Sequence, residues 1–487
     1  MSQFPTTIKE LKAGLKAGEF TAVELLEYTY QQIDALEPKW EAVLEIDAQR
    51  AVALEAAKAA DERGYGEDAP LLNGIPIAVK DNIVTQNLRT TAASKMLENF
   101  VPTYDATTVE RLKAAGAVIV GKLNLDEFAM GGSNEKSAFK VTHNPWNLNK
   151  VPGGSSGASA ATVAARQVPA SLGTDTGGSI RQPASYNGVV GIKPTYGSVS
   201  RFGLIAFGSS LDTIGPMTLT VEDNALVLEA IAGYDEKDST SLQDIDTNYS
   251  AKIGQSLAGM KIAFPKEFKS EEISEEVREA MEAAADFYRN EGAIVEEVSL
   301  PYSKYGVDVY YIIASAEASS NLQRFDGIRY GHRSEAAESL EDVYVLSRSE
   351  AFGDEVKRRI MLGTYSLSSG AYDAFFDKAA RVRTLIRQDF DKVFAEYDVI
   401  MGPVTTSTAF DIGGRVNNPL EMYVADLLTI PVNLIGAPAI SVPAGFDSEK
   451  LPIGLQLIGK PLDEATLYQA AHAYEVKHDY ASQAPEL

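Results

Sequence analysis

The sequence predicts an α/β fold built on a largely parallel or mixed sheet. Segments with helical apolar spacing alternate with short, wholly apolar runs of strand length. No fixed-period repeat or low-complexity linker interrupts the alternation. The longest uncharged run, Leu427 to Phe446, approaches the length of a membrane span. Pro431, Asn433, Pro438 and Pro443 break it into what reads as buried strands and turns. The 487 residues divide into an N-terminal helical segment over 1–70 and a single α/β domain over 71–487.

Within the first segment, Thr21 and Glu24 form a capping box. Val23, Leu26, Tyr30 and Ile33 follow at helical spacing. A second helix is expected from Ala48 to Arg63, stopped by Gly64. Ile75 to Lys80 is apolar up to its terminal lysine and reads as a buried strand. Asp105 is the expected N-cap of a helix that turns Val109 and Leu112 inward and ends at Gly116, ahead of a strand over Ala117–Val120. The same unit returns between Ser274 and Val298, with Gly292 as the stop and Ala293–Val298 as the strand. Further strands are expected near Val399–Met401, Ala439–Val442 and Ile453–Ile458, before a terminal helix over Glu464–Glu475.

Composition narrows the chemistry. Lys and Arg number 44 against 68 Asp and Glu, a formal net charge of −24. Such a chain is poorly suited to gripping phosphate backbones, so a nucleic-acid role would pass through a partner or a local basic patch. With no cysteine there is no disulfide, thiolate metal site or thiol nucleophile. The histidines are His143, His332, His472 and His478, too few and too scattered to suggest a metal site or a histidine-based triad. The start lacks the apolar core of a signal peptide, so the cytoplasm is the expected location.

Three short motifs fail on context. Gly116–Lys122 matches G-x-x-x-x-G-K, but Leu123 stands where a P-loop needs Ser or Thr, and the residues between the glycines read as strand. Ser137–Lys140 matches S-x-x-K without its companion motifs and reads as a surface turn. Gly153–Gly157 matches G-x-S-x-G, with no histidine downstream in a recognisable catalytic setting.

One constellation remains. Lys80 closes the apolar strand, Ser155 lies in Pro152–Gly157, and Ser179 in Gly173–Arg181. The region from Val151 to Gly203 is dense in Gly, Ser and Thr and nearly free of acidic residues. A carboxamide is a poor electrophile, so a hydroxyl must be activated to attack it. A lysine desolvated at a strand end loses its proton more readily and is a credible base. Thr176, Gly177 and Gly178 can turn backbone N–H groups toward one point, as an oxyanion hole requires.

These segments resemble the amidase signature family from about residue 5 to the C-terminus. The resemblance implies a large mixed central β-sheet covered by helices on both faces. It also implies a Ser–cis-Ser–Lys triad in which Lys80 takes a proton through Ser155. Ser155 in turn takes one from Ser179, which attacks the carboxamide, and Ser155 follows a cis peptide. The family usually has glycine where this chain has Ala158, which is harmless inside a helix and disruptive where φ is positive. Lys136 stands where an acidic or amide residue is expected.

Within the family the chain is most similar to the glutaminase subunits of tRNA-dependent amidotransferases. The segments Asp126–Ser133, Ser200–Phe207, Tyr310–Ala318, Arg324–Arg329, Glu355–Thr364 and Ala425–Asn433 carry that similarity. It implies glutamine as substrate, with Arg359 on the α-carboxylate, Asp426 on the α-ammonium and Tyr310 beside them. Ammonia would pass to a B subunit, where ATP-activated Glu-tRNA(Gln) becomes Gln-tRNA(Gln), with a small C subunit wrapping the interface. ATP and magnesium are expected in the partner, tRNA is expected to be held mainly by the B subunit, and this chain is expected to carry no cofactor. The alternatives are a stand-alone amidase of small aliphatic or aryl amides, and a non-enzymatic scaffold.

Overall fold

The computed structural model describes residues 4–415, 422 and 424–486. Among the described residues, eleven strands form one mixed sheet in the order β1-β3-β2-β4-β6-β5-β10-β11-β9-β7-β8. They are β1 (Val43–Glu45), β2 (Pro76–Lys80), β3 (Val118–Leu123), β4 (Ala170–Asp175), β5 (Val190–Lys193) and β6 (Thr213–Thr218). The rest are β7 (Lys261–Pro265), β8 (Ile294–Val298), β9 (Val399–Pro403), β10 (Ala439–Phe446) and β11 (Pro452–Gly459). β2 runs parallel to β3 and β4, and β7 parallel to β8 and β9. The other pairings are antiparallel. In β2, β3, β4, β5, β6, β9 and β11 every residue is buried. Since successive side chains point to opposite faces, both faces of the central sheet are covered.

The covering helices are α1 (Ile8–Ala17), α2 (Ala22–Trp40), α3 (Asp47–Arg63), α4 (Thr107–Ala114) and α5 (Gly157–Ala164). Next come α6 (Arg181–Asn187), α7 (Val221–Ile231), α8 (Glu275–Asn290), α9 (Gly306–Leu322) and α10 (Leu340–Ala351). The last are α11 (Asp354–Ser366), α12 (Lys378–Phe394), α13 (Ile430–Ile435) and α14 (Glu464–His478). One cluster of buried apolar side chains runs from Ile8 on α1 to Tyr474 on α14. None of the described helices is long and apolar enough to cross a membrane.

The capping box at Thr21 and Glu24 is present, and Leu25, Leu26, Tyr30 and Ile33 turn inward below it. α3 stops at Gly64 as expected. Gly116–Lys122 runs into β3 and is no phosphate loop. Ala158 lies inside α5, where its methyl is accommodated.

Several expectations are corrected. The first 70 residues are not wholly helical, because β1 pairs antiparallel with β3 at the sheet edge. Ala106 caps α4 in place of Asp105. The Asp105 carboxylate is taken by the Gln86 amide at 2.8 Å and Lys113 Nζ at 2.6 Å. β8 is an edge strand that exposes Glu296 and Glu297, not a buried one. Part of the uncharged Leu427–Phe446 run is helical: Pro431 sits in the first turn of α13, where its missing N–H costs nothing, and Gly436 closes it at φ 75°.

Candidate active site

β2 and β4 run parallel, with Ile77 opposite Ala170 and Val79 opposite Leu172. Their carboxyl ends therefore lie side by side at one end of the sheet, where open α/β sheets present their ligand sites. Lys80 is the last residue of β2 and is fully buried. Its Nζ lies 2.7 Å from Ser155 Oγ, 2.8 Å from Ser156 Oγ and 2.9 Å from Thr174 Oγ1. Ser155 and Ser156 end the loop before α5, and the Gly154–Ser155 peptide is cis.

Burial pushes the Lys80 amine down to about 7, while Asp126, Asp175 and Asp212 pull the other way. A neutral amine there offers two hydrogens and one lone pair. Ser156 Oγ donates its hydrogen to the Thr174 carbonyl at 3.0 Å, so it can only accept from Lys80. Ser155 Oγ makes no other hydrogen bond among the described residues, so its hydrogen is available to the lysine lone pair.

Ser179 follows β4 across Thr176, Gly177 and Gly178, and its carbonyl accepts the Ser156 N–H at 3.2 Å. The loop is held by Asp175. That carboxylate accepts Gly178 N–H at 2.9 Å and Ile180 N–H at 3.2 Å. Arg181 grips it with Nε and Nη2, both at 3.0 Å. Burial opposes the charge on Asp175, but Arg181 and Asn433 hold its carboxyl down at about 2. Arg181 is itself fully buried and also reaches Gln456 Oε1 at 2.7 Å and Asn433 Oδ1 at 2.6 Å.

Gly178 departs from the expected oxyanion set, since its N–H is committed to Asp175. The amides of Thr176, Gly177 and Ser179 make no hydrogen bond among the described residues. A Cβ on Gly177 would stand 2.7 Å from Tyr310 Cζ, so the Tyr310 ring lies directly against this loop. Tyr310 is on α9, and burial raises its phenol above the ordinary value, leaving it a neutral donor.

Arg359 is on α11 and is 4% exposed. Its Nε pairs with Glu355 Oε1 at 2.8 Å, and its guanidinium lies 5.3 Å from the Phe207 ring and 5.1 Å from the Tyr311 ring. Asp426 precedes α13, and burial pushes its carboxyl up to about 8 against the pull of Arg359. Its Oδ2 lies 3.8 Å from where a Cβ on Gly132 would stand. Lys136 meets this region through its backbone N–H, which Asp126 Oδ1 accepts at 3.0 Å. Ser137 accepts the Phe139 N–H, and Lys140 pairs with Glu37 at 2.9 Å.

An amine, two hydroxyls and a row of free amides at one strand edge can activate an oxygen nucleophile and receive an oxyanion. The amidase family model matches residues 24–468. The chain is a member of the amidase family. Its α/β architecture is the amidase signature fold. It is 60% identical over 481 residues to the A subunit of glutamyl-tRNA(Gln) amidotransferase from Streptococcus gordonii, covering 99% of this chain and 98% of that protein. The A subunit of the Enterococcus faecalis enzyme is 58% identical over 484 residues, covering 99% and 98%. The crystal structure of the Thermotoga maritima A subunit superimposes with a TM-score of 0.82 at 44% identity, covering 99% of this chain and 97% of that one.

Residue types alone did not disclose the residues that support this amidase site. Asp175 and Arg181 lie within Gly173–Arg181 with no role evident from sequence, and Asn433 and Gln456 come from remote parts of the chain. Ser156 had one usable signal, its adjacency to Ser155.

Proposed function

We propose that the chain is the glutaminase component of a tRNA-dependent amidotransferase. Neutral Lys80 draws the Ser155 proton, Ser155 draws that of Ser179, and Ser179 Oγ attacks the glutamine carboxamide carbon. The tetrahedral oxyanion is received by the amides of Thr176, Gly177 and Ser179. The proton returns through Ser155 to the departing nitrogen, which leaves as ammonia. Water then hydrolyses the γ-glutamyl ester on Ser179 by the same proton path, giving glutamate. Arg359 takes the α-carboxylate and Asp426 the α-ammonium, with Tyr310 over the nucleophile loop. An incoming ammonium favours the ionised form of Asp426, offsetting the burial that raises it.

The observation that carries the reading is the buried Lys80 amine 2.7 Å from Ser155 Oγ, in a chain 58–60% identical to proteins named as the A component of glutamyl-tRNA(Gln) amidotransferase. Ammonia would then pass to a B subunit that holds ATP, magnesium and Glu-tRNA(Gln), with a C subunit wrapping the interface, all in the cytoplasm. The net charge of −24 fits leaving the tRNA to a partner. The test compares glutamine with butanamide, which lacks both α-groups, in wild type and Arg359→Ala. Selective loss of glutamine hydrolysis is expected. An unchanged glutamine rate beside efficient butanamide cleavage would assign the chain as a stand-alone amidase.

A further inference from the structure

Glu127 is 3% exposed, yet the proton path described above does not use it. Its carboxylate joins two elements far apart in sequence. Ser94 Oγ donates to Oε1 at 2.5 Å, and the Gly353 N–H donates to Oε2 at 2.8 Å. Gly353 is the N-cap of α11, the helix that carries Glu355 and Arg359. That helix has no side-chain cap hydrogen bond among the described residues, so Glu127 supplies an acceptor at its amino end. A Cβ on Gly353 would stand 2.4 Å from Glu127 Oε2, so this approach requires glycine. The neighbouring Phe128 packs at 5.1 Å from Phe325 and 5.7 Å from Phe352, closing the same joint with apolar contacts.

The residue before Glu127 faces the other way. Asp126 N–H donates to the Ser155 carbonyl at 3.3 Å, and its carboxylate accepts the amides of Asn134 and Lys136. A few residues on, Gly132 lies beside Asp426 and gives its carbonyl to Gln182 Nε2 at 2.7 Å. The segment from Asp126 to Gly132 thus contacts the serine loop and the helix of Arg359 and passes beside Asp426.

We propose that Glu127 is a positioning residue for the amino-acid end of the substrate, fixing α11 against the serine loop so that Arg359 stands at a set distance from Ser179. This rests on the glutaminase reading and adds to it the residue that aligns the α-carboxylate clamp with the nucleophile. An interaction made equally with bound substrate and transition state appears in KM and not in kcat.

The test uses the full chain in its assembled complex, with glutamine and butanamide as substrates. Glu127→Ala is expected to raise KM for glutamine about ten-fold or more, with kcat and the butanamide kcat/KM nearly unchanged. Glu127→Gln keeps an acceptor for the Gly353 N–H and is expected to restore most of the KM. Gly353→Ala, at an exposed position, displaces the carboxylate from the helix side and is expected to reproduce the defect. It carries the test alone if Glu127→Ala does not fold. Equal losses on both substrates, or an unchanged glutamine KM in Gly353→Ala, would overturn the proposal. A wild-type enzyme that cleaves butanamide but not glutamine would instead overturn the glutaminase reading and this proposal with it.

Discussion

Arg181 grips both oxygens of Asp175, and the same carboxylate accepts the amides of Gly178 and Ile180 on either side of Ser179. Ser179, the proposed nucleophile, thus sits at the middle of a loop whose two flanks are tied to one buried ion pair. Asp175 has its carboxyl held at about 2 against an ordinary 3.8. Its contribution to stability is therefore present above 3.8 and lost as the pH falls toward 2. Arg181→Ala leaves a buried carboxylate without its partner and is expected to cost about 3–5 kcal/mol in chemical denaturation at neutral pH. Arg181→Lys is expected to recover little, since a single ammonium cannot reproduce the forked contact.

Lys80 must be neutral to act as a base. With its amine pushed down to about 7, kcat/KM is expected to rise with pH through a limb centred near that value. Lys80→Ala is expected to lose about 10⁴-fold in rate while the far-ultraviolet circular dichroism stays native. A rate within ten-fold of wild type would remove the lysine from the proton path.

Selectivity is expected to reside in α11 and the approach to α13. Arg359→Ala and Asp426→Asn should each raise KM for glutamine about 10²-fold and leave butanamide nearly untouched. Because Asp426 is held up to about 8, the glutamine KM is also expected to fall as the pH approaches that value, and the butanamide KM to stay flat. Steady-state kinetics on the two substrates across pH checks both statements.

Gly177 tests the oxyanion donors. An alanine Cβ there meets Tyr310 Cζ at 2.7 Å and Oη at 2.8 Å, so either the loop or the ring must move. Gly177→Ala is expected to lower kcat about 10²-fold and, by displacing the loop or the buried ring, to cost about 1–3 kcal/mol of stability.

The α/β class was legible because β2, β3, β9, β10 and β11 are apolar runs set off by Gly, Pro and polar turns. β4 and β6 were not. Their sequences, Ala-Ser-Leu-Gly-Thr-Asp and Thr-Ile-Gly-Pro-Met-Thr, are small and polar, and they become strands by pairing with each other and with neighbours on both sides. Lys80, Ser155 and Ser179 could be picked out by residue type and order. The grip of Arg181 could not, since Asn433 and Gln456 lie 252 and 275 positions away. Nor could the commitment of the Gly178 amide, which depends on where the Asp175 carboxylate points.

In the proposed reaction the Lys80 amine, acting through Ser155, makes Ser179 nucleophilic. The most direct test is the rate at which an electrophilic glutamine analogue forms a covalent adduct, located by peptide mass spectrometry and followed across pH. Modification is expected at Ser179, accelerating as the pH rises through about 7 and abolished in Lys80→Ala. Adduct formation at another residue, or at Ser179 with the same rate in Lys80→Ala, would contradict it.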